Sequence, residues 1–326
     1  MRKGFFALLL GLFLVSSDFQ FPILDPMGVV PASALTALSQ ESGVFYNPAL
    51  AAFNFPSVQY SQGFYSMDCS GLFSALEKSR ELKEDELKAA SDKASYASFT
   101  RNVYISGKGG AFGYVFYKNL SLTPGEDLSS LHYSLRERKE IFFSKAYFLK
   151  ANRVFMGITT KYVFYEDREF TLPLEDERNY LPGRELLDLQ EGEALKGKKM
   201  VLNLGLAGFL TPKMVASVSL MDIPVAKGEK FTPEYILGAL SYKLSNSFRL
   251  SAGADLTSYK TRYFVSGLFD IRILSFGFGL RNWNGESFYG LYGALRYRRF
   301  SLRAGLNLKE GERAGFLISL AIINAF

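Results

Sequence analysis

The side chains best equipped for bond chemistry lie in one short stretch. His132 is the chain's one histidine, and Asp127, Ser129, Ser130 and Ser134 surround it. A serine nucleophile, an imidazole base and an orienting carboxylate are the parts of an acyl hydrolase, and at a lipid-facing rim they would suit lipid hydrolysis. In a loop, spacing alone carries no such geometry. No glycine-rich phosphate loop follows a strand, no Cys/His metal spacing occurs, and the acids of residues 172–193 lack the regular spacing of a calcium loop. The reading is therefore a protein that is not an enzyme, with no cofactor and no metal. A second set of charges, Arg249, Asp255, Asp270, Arg272, Arg281, Arg296 and Arg303, falls at regular positions within strand-like segments. Their chemistry is structural: charges held inside a lumen rather than a substrate filter.

The elements that place those charges are two-faced strands. In residues 300–309, Phe300, Leu302, Ala304, Leu306 and Leu308 alternate with Ser301, Arg303, Gly305, Asn307 and Lys309, the period of a strand with one oily and one wet face. Tyr289 and Tyr297 bracket the apolar face of 288–297, as suits rings that favour the two bilayer interfaces. About fourteen such segments occur, each near the 9–11 residues that a tilted strand needs to cross a bilayer: 56–66, 97–107, 110–118, 139–149, 153–165, 199–210, 213–222, 234–244, 247–258, 261–272, 273–282, 287–297, 299–308 and 314–326. Their connections alternate. One set is tight (107–110, 150–153, 211–213, 245–247, 272–273 and 298–299), whereas 67–96, 119–138, 166–198 and 223–233 are long and charged. That segregation is expected of an outer-membrane barrel with short periplasmic turns and long outer loops. The fold class predicted is all-β, a transmembrane antiparallel barrel of about fourteen strands.

The ends of the chain agree with that location. Arg2 and Lys3 precede an apolar run ending near Val15, too short to span a bilayer and followed by small residues, which reads as a signal peptide over 1–17. At the other end, Phe316, Ile318, Leu320 and Ile322 lead to Phe326, similar to the C-terminal signal read by the β-barrel assembly machinery, with Asn324 departing from it. The chain is 48% hydrophobic with a net charge of +6; its cations are interspersed with acids, so no nucleic acid partner is expected. The lone cysteine, Cys69, supports no disulfide framework.

Fourteen strands enclose a bore too wide for wall side chains to fill, so something must plug it. Residues 18–55 are the candidate. They are proline-rich, with Ala32, Ala34, Ala37 and Leu38 placed along one side of a short helix, and they end in Phe45, Tyr46, Asn47, Pro48 and Ala49 before the first strand. The stretch "ASALTALSQESGVFYNPALAAF" resembles the N-terminal hatch of the FadL-type long-chain fatty-acid and aromatic-hydrocarbon transporters (the OMPP1/FadL/TodX superfamily) and of PorV-like barrels. The resemblance implies a fourteen-stranded barrel with a hatch at 18–55 and a gate at Phe45, Tyr46, Asn47, Pro48 and Ala49. Pro48 is read as stopping local helix and Asn47 as hydrogen-bonding the turn. The chain is shorter than typical fatty-acid transporters and their substrate-binding residues find no match here, so the resemblance bears on fold and hatch rather than cargo.

From the residues themselves, Gly107, Gly109, Gly110 and Gly113 predict a kink that opens a lateral exit to lipid, and 71–94 reads as an amphipathic lid helix carrying Leu72, Phe73 and Leu76. The functional expectation is bacterial outer-membrane uptake of hydrophobic small molecules, long-chain fatty acids or hydrocarbons, with outer-membrane lipid and the cargo as partners. A PorV-like shuttle or scaffold barrel working with secretion-system proteins and a general porin are the alternatives.

Overall fold

The structure, a computed structural model, describes residues 23–24, 26–36, 43–67, 95–124, 130–149, 153–173, 193–225, 232–257, 260–271, 273–283, 286–309 and 312–323. The signal peptide 1–17, Cys69, the lid segment 71–94, Asp127, Ser129, Arg272 and Phe326 lie outside these residues.

Alternating polarity resolves into strands with an inside and an outside. In β13 (Phe300–Lys309), Ser301, Arg303 and Asn307 are buried while Leu302 faces outward, 47% exposed. The remaining strands are β1 (Ser57–Met67), β2 (Ser95–Gly107), β3 (Gly110–Pro124), β4 (Ser130–Phe148), β5 (Val154–Pro173), β6 (Ala194–Thr211), β7 (Met214–Pro224), β8 (Tyr235–Lys243), β9 (Phe248–Thr257), β10 (Lys260–Ile271), β11 (Leu274–Trp283), β12 (Glu286–Tyr297) and β14 (Glu312–Ile323). Each pairs with its sequence neighbours, and β14 pairs with β1, Ser57 opposite Ile323, so the fourteen strands close an antiparallel barrel with no free edge. Closure satisfies the backbone polar groups that an open sheet would leave bare in hydrocarbon. Among the described residues, the tight turns predicted at 107–110, 211–213, 245–247 and 298–299 are there, and in the last of them Arg298 takes the left-handed φ of 53°.

The outer side differs from the sequence reading. The ranges 119–138 and 166–198 are not loops throughout, because β3 runs on to Pro124 and β4 begins at Ser130 in the first, and β5 runs on to Pro173 and β6 begins at Ala194 in the second. With 19 and 20 residues, β4 and β5 far exceed what a bilayer requires, so both faces of their outer halves are free to carry charge and the apolar alternation disappears there.

The N-terminal segment runs through the interior. A 3₁₀ turn (Pro26–Val29), a short α-helix (Pro31–Thr36) and further 3₁₀ turns (Gly43–Phe45 and Pro48–Phe53) are buried almost throughout. Their partners are inward-facing groups of widely separated strands. The Ser33 amide donates to Ser266 Oγ of β10 at 2.8 Å, Ser217 Oγ of β7 donates to the Leu35 carbonyl at 2.7 Å, and Asn102 of β2 donates to the Leu24 carbonyl. Only a segment inside the barrel can reach all three walls.

Wall glycines make the fit possible. A Cβ built on Gly290 of β12 would lie 1.9 Å from the Val29 carbonyl oxygen, one on Gly205 of β6 2.0 Å from Asn47 Oδ1, and one on Gly157 of β5 2.1 Å from the Pro48 carbonyl carbon. The inward glycines are therefore the sites where interior backbone meets wall backbone. Substituting Gly290 or Gly157 by alanine should destabilise the barrel by about 1–3 kcal/mol through overpacking, read as a lower unfolding temperature in detergent. Gly293→Ala, with nothing within 4 Å of the new Cβ, is the control and should leave it unchanged.

Candidate functional site

The candidate site is the lumen, built from the interior segment below and a charged layer above. Asn47 organises the lower part. It is the N-cap of the 3₁₀ turn Pro48–Phe53, with its Oδ1 accepting from the Ala49 amide at 2.9 Å and Pro48 at the first helical position. Pro48 thus begins a helical turn rather than stopping one, since its fixed φ and missing N–H suit that position. The Asn47 Nδ2 donates outward to the Leu206 carbonyl of β6 at 3.1 Å and lies 3.5 Å from the Val218 carbonyl of β7. Phe45 stands edge-on to Tyr104 and Phe142, with ring centroids 5.0 and 5.6 Å away, and Phe53 packs on Phe155 at 4.5 Å. Tyr46 and Ala49 are buried beside them, and the Tyr46 hydroxyl accepts from the Leu24 amide at 3.2 Å. The five residues singled out from the sequence are thus brought together inside the barrel.

The glycine kink is not formed. β2 pairs with β3 in continuous register from Ser95–Leu122 to Gly107–Gly110, and β3 with β4 from Gly110–Lys145 to Pro124–Leu131. Gly107 and Gly110 close the hairpin, Gly109 supplies its positive φ of 79°, and the Gly113 position is occupied by Tyr104, whose Cβ would lie 2.3 Å from an added methyl. These glycines serve a turn and a close contact, so the ladder there needs no gap. Register shifts lie instead between β13 and β14, at Asn307 and Leu308, and between β6 and β7, where the register shifts between Leu202 and Leu204 and again between Phe209 and Thr211. Asn47 reaches the wall between the two shifts of β6 and β7.

The upper bulge also aims a charge. Asp222 takes a left-handed φ of 55°, its amide donating to Asn203 Oδ1 at 2.8 Å, and Met221, Asp222 and Ile223 are all buried. Its carboxylate meets Lys161 of β5 at 2.9 Å, and Lys161 also meets Glu140 of β4 at 3.0 Å. Beyond this triad, Arg138 pairs with Asp167, its Nη2 donating at 2.9 Å, and stands 5.3 Å from the Tyr165 ring centre. Arg136 of β4 pairs with Glu234, just before β8. β4 and β8 are four places apart in the wall, so that pair spans a chord of the bore. The sequence reading gave Arg136, Arg138 and Asp167 to loops, and placed Glu140, Lys161, Asp222 and Glu234 in strands without singling them out, so the layer was missed.

Of the lumen charges singled out from the sequence, those among the described residues lie on the inward face of their strands. Arg262 pairs with Asp255 at 3.2 Å, Arg296 lies 3.4 Å from Asp270, and Arg303 donates to Ser319 Oγ at 2.9 Å. Arg281 is buried and Arg249 half-buried. The cavity between the interior segment and Asp255, Arg262 and Arg281 has a volume of about 40 Å³, room for a few waters and no cargo. His132 lies in β4 rather than in a loop, and its Nδ1 meets Thr171 Oγ1 at 2.7 Å, a hydroxyl in the place where a triad would put a carboxylate.

The same barrel occurs in proteins of known structure. The fold is similar to that of the CymD monoaromatic hydrocarbon channel, with a TM-score of 0.55 at 12% identity, covering 93% of this chain and 99% of that one. It is also similar to the P. putida toluene transporter TodX, with a TM-score of 0.50 at 11% identity over 87% and 94% of the two chains. No family model matches the chain, and no curated protein matches it in sequence. The FadL-type resemblance read from the hatch motif thus holds at the level of fold.

Burial would raise the Glu234 carboxyl, but Arg136, backed by Lys199 and Arg138, holds it down at about 2 from an ordinary 4.5. A lowered carboxyl stabilises the folded state above its unfolded value and loses that contribution as pH falls toward the folded one. The wild type should therefore lose up to about 3 kcal/mol between pH 4.5 and 2 from this group, and Glu234→Gln should remove that part of the acid dependence in thermal unfolding followed across the window.

Proposed function

We propose that the protein is an outer-membrane channel for uptake of hydrophobic small molecules through a barrel closed by its own N-terminal segment. The observation that carries this reading is the occupied middle of the lumen: interior backbone is seated on wall glycines below and ion pairs chord the bore above, with a cavity of about 40 Å³ between segment and wall and one of about 340 Å³ nearer the outer rim beside Ser121, His132 and Thr171. A steady aqueous pore fits such a lumen poorly. A closed barrel wrapped in apolar side chains suits cargo that partitions into lipid and needs passage through the polar outer leaflet. The shared fold with proteins named as a hydrocarbon channel and a toluene transporter supports the same class of cargo here, monoaromatic hydrocarbons or long-chain acyl chains.

Passage then requires the interior segment to move, and Asn47 is the proposed latch. It ties the segment to β6 and β7 between two register shifts, which makes that seam, rather than the β3 hairpin, the proposed place for cargo to leave sideways.

In proteoliposomes the wild type is expected to take up labelled toluene or fatty acid while showing little ionic conductance. Deleting residues 18–46 should give a large steady conductance. Wild-type conductance of that size would establish a porin instead. Absence of uptake combined with co-purification of a secretion complex would favour the scaffold alternative. Asn47→Ala should raise the frequency of brief openings without the steady current of the deletion, recorded on single channels.

A further inference from the structure

The outward face of the barrel is uneven. Along β2 to β6, cross-strand pairing sets Val103, Tyr114, Ile141, Tyr162 and Met200 in one apolar row. The next row toward the outer rim reads Arg101, Phe116, Lys139, Phe164 and Lys198, and the one beyond it Phe99, Lys118, Glu137, Glu166 and Lys196, with Arg168 further out on β5. Six cations on five adjacent strands thus border the apolar surface. The outward positions of β8 to β14 carry no charge away from their turns among the described residues; Leu250, Val265, Phe278, Leu291, Leu302 and Ile318 are typical.

The two carboxylates in the belt do not neutralise it. Glu137 is shared by Lys139 at 2.7 Å and Lys118 at 3.6 Å, and Glu166 by Arg168 at 2.5 Å and Lys196 at 3.0 Å. Each acid holds two cations in place and leaves an excess positive charge. Aromatic rings support the cations from beside them, Arg101 at 5.7 Å from the Phe99 ring centre and Lys139 at 6.0 Å from that of Phe116. Lys139 is half exposed, its side chain 52% accessible. Long stems on apolar ground with charged heads turned toward water are the form that basic side chains take at a membrane interface.

We propose that this belt binds the phosphate groups of outer-leaflet lipid, a phosphorylated glycolipid. The inference rests on the membrane-barrel reading above and extends it to one side of the barrel. Charge complementarity and position select this occupant. The cations form an array at the strand spacing of about 4.8 Å, facing the side from which lipid approaches, and the apolar row beside them continues without a polar break. A protein partner on that surface would have to lie in hydrocarbon, whereas a phosphorylated lipid places its acyl chains on the apolar row and its phosphates on the belt.

The test uses the full chain in nanodiscs of phosphatidylcholine doped with bis-phosphorylated lipid A or with the same lipid lacking phosphates, the retained glycolipid being counted by native mass spectrometry after purification. The wild type is expected to retain the phosphorylated form selectively, and a Lys118→Gln/Lys139→Gln/Lys196→Gln/Lys198→Gln variant to retain at least about tenfold less. Equal retention of the two lipids by the wild type overturns the proposal without recourse to any variant, as does undiminished retention by the folded variant. Toluene uptake measured in neutral-lipid vesicles should be the same for both proteins. Loss of that uptake with selective lipid retention intact would count against the transport reading alone.

Discussion

Backbone laid directly against backbone is the contact on which this barrel depends. A ring of fourteen strands is wider than its own inward side chains can fill, and packing density in protein interiors leaves no allowance for a void of that size. The chain resolves this by removing side chains from the wall where the interior segment passes: Gly157, Gly205 and Gly290 each leave space that Pro48, Asn47 or Val29 occupies. Short contacts of this kind fix the segment far more sharply than apolar burial alone, because a single added methyl group has nowhere to go.

Polarity then divides the molecule by level. Within the bilayer the outward face is forced to be apolar and the inward face can hold Ser, Gly and paired charge. Above it that requirement lapses, and β4 and β5 carry charge on both faces, Arg136 and Arg138 inward, Glu137 and Lys139 outward. Buried pairs such as Lys161 with Glu140 and Asp222 add little net stability against an apolar substitute, but breaking one partner leaves an uncompensated charge. The layer is thus better suited to fixing one arrangement of the outer strands than to strengthening them.

Legibility in the sequence follows the same division. Strands such as β11 to β14 could be placed to within a residue or two over most of their length, because the membrane imposes a period of two that composition cannot hide. The outer halves of β4 and β5 could not, since charges alternating with charges, as at Arg136-Glu137-Arg138-Lys139, leave no period to detect. Asn47-Pro48-Ala49 stood out as a motif and does sit at the hub of the interior segment. Its partners did not stand out: nothing local marks Gly157 or Gly205 as the seat of a residue more than a hundred positions away. The β7 bulge that turns Asp222 onto Lys161 was equally silent, being a property of pairing register. Glycines 107 to 113 misled for the opposite reason, a local cluster whose use is an ordinary hairpin.

The interior segment also constrains how the molecule can be assembled. It precedes every strand, yet Ser33 is hydrogen-bonded to Ser266, 233 residues later, and the seam between β1 and β14 joins the first strand to the last. Contacts so distant along the chain are slow to form, and a segment enclosed by a continuous ladder cannot easily be threaded in afterwards. Pairing of β14 with β1 closes the ladder around a segment already bonded to strands from both halves of the chain, so closing the wall and seating the segment depend on each other.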